Sequence, residues 1–300
     1  MTRSEPAEIA IRLEGGRFPR ALRHIHDPPR VLHLRGALAG DPMALDAPAI
    51  AVVGARDATA YGLAMARALG RALAESRLVV VSGLALGIDG AAHRGALEAG
   101  GRTVAVVGGG TDVVYPRQNA SLRSEILSRG VLVSEHPAGT APRPGQFPRR
   151  NRIVSGLFLG VIVVEATLRS GSLSTAAHAL EQGREVFAVP GPAGAPRSAG
   201  PHALLRRGAK LVESVDDVLA ELPAGVASPL DDGCHDVVRL PPDLDRIRNA
   251  IRGGVATADE LALRLRVKVP EILENLVALE LRGLVVRGPG GRYVAVSHSR

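Results

Sequence analysis

The chain has 300 residues, of which 46% are hydrophobic and 22% charged, values typical of a globular protein with room for one large and one small domain. It contains no long uncharged apolar run, and its first residues lack the apolar stretch of a signal peptide, so the sequence predicts a cytoplasmic protein without a membrane span. The single cysteine, Cys234, excludes an internal disulfide and a multi-cysteine zinc site, and we expect neither a metal nor a cofactor.

The formal net charge of +7 favours a polyanionic partner. All but two of the 37 basic residues are arginines, a bias that a GC-rich genome would also produce. The positions of the arginines say more than their number, because residues 136–164 contain no Asp or Glu. Four arginines fall in that stretch, namely Arg143, Arg149, Arg150 and Arg152.

Short valine-rich runs recur along the chain with helical segments between them. Their continuous apolar character predicts strands buried on both faces. The alternation predicts an α/β fold, an extended Rossmann-like, mainly parallel, doubly wound sheet over residues 46–222, after a short N-terminal lead-in at residues 1–45. The predicted strands are Ile50–Val53, Leu78–Val81, Thr103–Val107, Val131–Val133, Val161–Val164 and Val186–Val189, and the clearest helices are Gly62–Glu75 and Ser172–Gln182.

Right-handed crossovers place the loops that follow these strands at one edge of the sheet, where such folds bind ligands. The loop after the fifth strand reads Ser170-Gly171-Ser172 and runs directly into a helix. Backbone N–H groups at that helix start, with the hydroxyls of Ser172 and Thr175, form a potential phosphate site. An ordinary serine N-cap is the alternative interpretation.

The segment Phe147–Arg152, with the sequence FPRRNR, is predicted to be a basic loop. Its arginines can bind phosphate oxygens in a bidentate manner, and Asn151 can hydrogen-bond a base or hold the loop. Phe147 offers a ring for base stacking, or it anchors the loop to the sheet. The cluster is not a basic recognition helix of the kind that reads duplex DNA.

No catalytic signature is convincing, since the patterns of zinc peptidases, α/β-hydrolases and P-loop proteins are missing. Gly108-Gly109-Gly110 lacks the spacing of a dinucleotide fingerprint. Asp89 and His93 lie one helical turn apart and are a weak acid–base candidate. A first-turn acid beside a polar neighbour explains the same pair.

The pattern changes at residues 223–242, which read as a linker, and residues 243–300 predict a winged-helix domain. A helix at Leu244–Ile251 is followed by a capping box at Thr257–Glu260 and by a third helix with an apolar stripe. Leu284–Arg287 and Tyr293–Val296 predict a hairpin around Pro289-Gly290-Gly291. The third helix carries three carboxylates, which oppose docking onto a polyanion, so we expect this domain to serve protein contact or regulation. The stripe is Val269, Ile272, Leu273, Leu276 and Leu279, and the acids are Glu271, Glu274 and Glu280.

Seven motifs in order give the chain a resemblance to the DprA (Smf) family of DNA-processing proteins. The resemblance covers residues 17–222 and includes the lead-in FPRALRHIHDPPRVLHLRG. The motifs are Val53–Arg56, Ser82–His93, Gly110–Pro116, Ser134-Glu135, Phe147–Arg152, Ser170–Ala176 and Pro190-Gly191.

The resemblance implies a non-enzymatic homodimer that binds and protects single-stranded DNA in natural transformation and loads the RecA recombinase onto it. It implies phosphate contacts from Arg56, Arg150 and Arg152, and a groove lined by Gly83, Gly171 and Ser172. The chain departs from the family pattern at Ala55, where serine is usual, and at Arg149, which adds charge. A helical N-terminal domain found in many members is expected to be absent.

Two other functions remain open. The glycine-rich loop at Ser170–Thr175 resembles that of Rossmann-like nucleotide phosphoribohydrolases, for which Glu135 and Glu165 are the candidate acids at strand ends. The second is a nucleotide-sensing domain that regulates through its winged helix. The arginine cluster favours a polymer, because a small nucleotide offers few phosphates.

Overall fold

A computed structural model describes residues 5–41, 44–223, 244, 246–247, 250–251, 256–281, 285–287 and 292–295. The chain divides into two compact units, Met1–Pro229 and Leu230–Arg300. Apart from Pro223, the segment predicted as a linker lies outside the described residues. Among the helices that are described, none combines the length and apolarity needed to cross a membrane.

The first unit is built on a nine-stranded sheet with the order β1-β2-β6-β5-β4-β3-β7-β8-β9. In this order across the sheet, each strand from β6 through β3 to β9 is parallel to its neighbour. The pairs β1–β2 and β2–β6 are antiparallel. All six predicted strands are present, as β3 to β8. The strands are β1 Ile9–Arg12, β2 Val31–Arg35, β3 Ala49–Val53, β4 Val79–Ser82, β5 Thr103–Val106, β6 Val131–Ser134, β7 Gly160–Val163, β8 Glu185–Ala188 and β9 Lys210–Leu211.

Helices cover both faces of the sheet, because alternate residues of each buried strand point to opposite sides. Ala49, Ala51 and Val53 of β3 join one apolar core, and Ile50 and Val52 join the other. The first core is closed by α4, α5 and α6, and the second by α1, α2 and α7. This is the predicted doubly wound architecture. The helices are α1 Ala60–Glu75, α2 Ile88–Glu98, α3 Ala120–Arg129, α4 Gln146–Gly156, α5 Gly171–Glu181, α6 Ala199–Arg206 and α7 Val215–Leu219.

Helices α1 and α2 pack unusually closely through glycine. A Cβ built on Gly70 would lie 2.2 Å from the carbonyl oxygen of Ala92, and one on Gly95 would lie 2.0 Å from that of Arg67. Glycine at these two positions therefore allows the backbones of α1 and α2 to come into direct contact along the middle of α2.

Two parts of the unit differ from the sequence prediction. The lead-in contributes two strands of the sheet, β1 and β2. The alternating burial of β2 is that of a strand packed on one face. The basic segment Phe147–Arg152 is not a loop but the first part of α4. Pro148 is compatible with a helical first turn, where no intrahelical N–H bond is lost, and Ile153, Val154 and Leu157 bury the apolar side of the helix.

The second unit contains β10 Ala256–Thr257, α8 Ala258–Leu265, α9 Val269–Leu281, β11 Val285–Arg287 and β12 Arg292–Ala295. The predicted capping box is present, with Thr257 and Glu260 bonded reciprocally at the start of α8. β12 pairs with β10 as well as β11, so the described sheet has three strands rather than the predicted two. Leu273 is exposed and does not belong to the apolar stripe. Parts of the predicted hairpin and of the predicted first helix lie outside the described residues. They are Leu284, residues 289–291, Val296 and parts of Leu244–Ile251.

Candidate nucleic-acid interface

The loops that follow β3, β4 and β7 enclose a cleft of about 410 Å³ at the carboxyl edge of the sheet. The chain runs from β3 towards β6 in one direction and from β7 towards β9 in the other, so this cleft lies at the topological switch point, where open α/β sheets bind ligands. We call it the strand-end cleft. Its lining includes Gly54, Arg56, Asp89, Tyr115, Phe147, Arg150, Asn151, Ser170, Gly171, Ser172 and Thr175.

A cation and two aromatic rings form one wall of the cleft. The exposed Arg56 places its guanidinium carbon 5.2 Å from the ring centroid of the half-buried Phe147. The ring of Tyr115, itself 47% exposed, lies 5.6 Å from that of Phe147 at an interplanar angle of 33°. Such a group offers π-faces for stacking and a positive charge for phosphate.

Arg150 forms the floor of the cleft and is buried. Its Nη1 donates to the carbonyl oxygen of Val106 at 2.9 Å, and a Cβ on Gly83 would lie 1.8 Å from the same nitrogen. A side chain at position 83 would therefore displace the Arg150 guanidinium from this position. Burial lowers the pKa of the Arg150 guanidinium and raises that of the buried Asp89 carboxyl, and the opposite charges counteract both shifts. The backbone N–H of Gly83 donates to Asp89 at 3.1 Å, which ties the loop after β4 to the start of α2.

The opposite wall is the N-terminus of α5. Ser170 caps the helix and accepts from the backbone N–H of Ser172 at 3.3 Å, so the predicted serine N-cap is present. Gly171 is exposed, and Asn151 donates to its carbonyl oxygen at 3.1 Å, which joins α4 to α5. Thr175 is buried one turn further along. The N–H of Leu173 donates to the carbonyl oxygen of Ser170 at 3.1 Å, so an anion at this end would be held mainly by the positive end of the helix dipole and by the hydroxyl groups beside it.

The two strand-end glutamates, candidates for a catalytic acid, are both held by hydrogen bonds. Glu165 accepts from the backbone N–H of Thr59 at 2.9 Å and from its hydroxyl group. Glu135 accepts from Arg152 Nη2 at 2.6 Å. Neither lines the strand-end cleft. Their contacts favour the structural interpretation of these acids.

The sequence-based expectation that Arg56 and Arg152 face one groove is wrong. Arg152 lies on the other side of α4, buried, with Nε bonded to Asp27 at 3.0 Å and Nη2 to Glu135. Arg149 is exposed on the same side, with its Nε 3.8 Å from Glu135. The structure thus groups seven of the predicted residues around the strand-end cleft, namely Arg56, Phe147, Arg150, Asn151, Gly171, Ser172 and Thr175. Gly83 lies next to the cleft, against Arg150, and Arg149 and Arg152 line a different cavity.

The pair Asp89 and His93 does not form an acid–base site open to a ligand. His93 is fully buried, and its Nδ1 lies 2.7 Å from the hydroxyl oxygen of Thr103. That hydroxyl already donates to the carbonyl of Val80, so Nδ1 is the donor and Nε2, which has no partner, is unprotonated. Burial lowers the pKa of His93 to about 3.

Tyr115 was missed among the sequence candidates although it belongs to the motif Gly110–Pro116. Aromatic residues are rare in this chain, at 2%, and a tyrosine next to a proline in a strand-end loop was a usable signal. The contact with Phe147 was not predictable from the sequence, because 31 residues separate the two in the chain. Among described residues, no cluster of His, Cys, Asp and Glu has the geometry of a metal site.

Comparison with known proteins identifies close relatives. The sequence model of the family "DNA recombination-mediator protein A" matches residues 10–223, and that of the DprA winged helix domain matches residues 237–291. Protein Smf of Escherichia coli is 41% identical over 96% of this chain and 77% of its own length. DNA processing protein DprA of Bacillus subtilis is 44% identical over 71% of each chain.

Two solved structures share the fold. DNA processing protein A from Streptococcus pneumoniae superimposes with a TM-score of 0.68 and 44% identity, over 72% of this chain and 74% of that one. DNA processing protein A from Helicobacter pylori, whose structure is described as showing a unique single-stranded DNA binding mode, gives a TM-score of 0.63 and 32% identity over 71% and 94%.

Proposed function

The chain belongs to the DNA recombination-mediator protein A family, and we propose that it binds single-stranded DNA in the strand-end cleft. The cellular role is then DNA processing in natural transformation, in which the protein protects incoming single strands and loads the RecA recombinase onto them. The proposed DNA contacts within the cleft are Arg56, Gly83, Phe147, Arg150, Asn151, Gly171, Ser172 and Thr175. The protein acts by binding and not as an enzyme.

One observation carries this proposal: an exposed cation stands over an aromatic ring that contacts a second ring, and a helix N-terminus lines the same cleft. Arg56 and the first turn of α5 supply positive charge for phosphates. Phe147 and Tyr115 supply ring faces for unpaired bases. Duplex DNA keeps its bases stacked on one another, so this combination favours a single strand.

The contact between the polymer and the cleft should be dominated by phosphates. We expect affinity for a single-stranded oligonucleotide to fall with salt at a log–log slope of about −0.7 per neutralised phosphate, hence roughly −2 to −4 in total. Fluorescence anisotropy at 50 to 300 mM NaCl, on single- and double-stranded versions of one sequence, measures it. A flat salt dependence, or tighter binding of the duplex, contradicts the proposal. Assaying base release from a mononucleotide in the same preparation tests the hydrolase alternative.

Arg56→Ala should weaken single-strand binding by about 1–3 kcal/mol, because it removes an exposed charge-assisted contact. Its melting temperature should stay within a degree or two of wild type, since Arg56 lies at the surface. Phe147→Leu keeps apolar volume but removes the ring, and should weaken binding by a similar amount. Binding assays and thermal melts of both variants separate the roles. Normal binding by both would place the site elsewhere.

We further propose that the protein is a homodimer. An apolar groove of about 260 Å³ lies between α5, α6 and β8, and it is lined by a different side of α5 from the one that lines the strand-end cleft. Leu168 and Leu180 at this groove are 65% and 59% exposed. Large apolar side chains grouped on one surface favour an interface between copies, which would align two DNA-binding clefts.

Leu180→Arg should shift the protein from dimer to monomer, because a charge replaces an apolar contact at the proposed interface. Leu63→Arg is the matched control, since Leu63 is also exposed but lies on α1 in the opposite layer. Light scattering coupled to size-exclusion chromatography gives the mass. If the dimer persists in Leu180→Arg but is lost in Leu63→Arg, the proposed interface is wrong and the dimer forms through the α1 layer.

A further inference from the structure

Helix α4 separates the strand-end cleft from a second cavity of similar size, about 430 Å³. Pro148 lines both, so the two cavities adjoin across the first turn of the helix. We call the second one the α4–α5 cavity. Its polar lining is His24, His26, Asp27, Arg149, Arg152, Ser174, His178, Glu181 and Gln182.

Two arginines and two acids line the α4–α5 cavity, and Arg149 is the arginine of the two that is exposed. Asp27 accepts from Arg152, and Glu181 faces His178 at 3.3 Å, so both acids have a nearby donor. Glu135 takes its short contact from Arg152, which leaves Arg149 with only a 3.8 Å approach to the same carboxylate. The Arg149 side chain is 62% exposed and can turn its guanidinium towards an anion.

The remaining lining suits the other parts of a nucleotide. His24 and His26 are exposed, and His178 is half-buried. Imidazole rings offer flat faces to a base together with hydrogen-bonding nitrogens. Ser174 lines the same cavity, together with the buried Ile25 and with Pro148. The exposed Arg149 and the three imidazole rings distinguish this cavity from the apolar groove assigned to the dimer.

We infer that the α4–α5 cavity is a second single-strand subsite, which receives a nucleotide of the strand as it leaves the strand-end cleft over Pro148. Arg149 binds its phosphate, and the three histidines surround its base. The inference rests on the proposed function, because the strand reaches this cavity only by way of the strand-end cleft. Under this inference Arg149 contacts the phosphate of the nucleotide, and Arg152 forms part of the wall of the α4–α5 cavity.

Binding of an oligo-dT length series to the full-length protein tests the inference. In the wild type, affinity should rise with length until the strand fills both cavities, within the range of about 4–16 nucleotides. Arg149→Ala and Ser174→Glu should lower affinity for long oligonucleotides about tenfold and leave the shortest ones that bind unchanged. For Arg149→Ala the long-strand salt slope should also become shallower by about 0.7. Ser124→Glu makes the same charge change as Ser174→Glu on the exposed side of α3 and should have no effect.

The outcomes are distinguishable. If both cavity variants melt like wild type and bind every length normally, or weaken short and long strands equally, the second subsite is wrong while the strand-end cleft stands. If no length binds to the wild type, the proposed function itself fails. Because Arg149 is exposed, its variant reports on binding even if Ser174→Glu impairs folding.

Discussion

Arg152→Met is expected to destabilise the first unit by about 2–4 kcal/mol, which lowers its melting temperature by roughly 5–15 °C. The substitution keeps the apolar stem of the side chain but removes a buried guanidinium bonded to Asp27 and Glu135. Both carboxylates would then lack their nearest cation, and α4 would lose its ties to the lead-in and to the end of β6. The estimate is at the lower end for a broken buried pair, because Asp27 is 58% exposed.

Arg149→Met is the matched control for this prediction. It removes the same charge three positions earlier on the same helix, but from an exposed side chain with one 3.8 Å contact. Its effect should stay below about 0.5 kcal/mol. Adding Glu135→Gln to Arg152→Met should recover part of the loss, because the amide needs no counter-charge. Urea unfolding of the two single variants and the double variant measures these differences in stability. Equal stability of Arg152→Met and Arg149→Met would rule out a structural role for Arg152.

Acidification should destabilise the protein through His93. Its folded pKa of about 3 lies below the ordinary value of 6.5, so between these values the unfolded chain binds one more proton than the folded chain. The stabilising contribution is complete above pH 6.5 and is lost as the pH falls towards 3. Between pH 7 and pH 5 the expected loss is about 2 kcal/mol. The cause is structural: the free Nε2 would acquire a proton in a buried place without an acceptor.

His93→Asn isolates this contribution from that of other groups. The amide can keep the donor towards Thr103, and it does not titrate in this range. The difference in unfolding free energy between wild type and variant should therefore change by about 2 kcal/mol from pH 7 to pH 5. Urea unfolding at several pH values provides the curve. Parallel curves for the two proteins would show that His93 is not the group responsible.

The arginine-rich segment shows what sequence reasoning could and could not supply. Residues 136–164 were correctly singled out as a basic, acid-free stretch. The segment Phe147–Arg152 was nevertheless taken as a loop, because proline and arginines outweighed the apolar spacing of Ile153, Val154 and Leu157 that follows it. In a helix, residues two apart point about 200° from one another. Treated as a helix, the segment would have placed Arg150 and Arg152 on opposite sides.

The sequence by itself determined the six strands β3 to β8, their crossovers and the edge of the sheet where we place the site. Valine-rich runs between helical segments allow few arrangements, and right-handed crossovers bring the strand-end loops together. The partners of each charged side chain were decided only by the tertiary structure. Asp27 meets Arg152 across 125 residues, and Thr59 meets Glu165 across 106, because strand order and helix packing bring distant segments together. Whether an arginine can bind phosphate depends on its burial and on its ion-pair partners. Neither can be read from the residues next to it in the sequence.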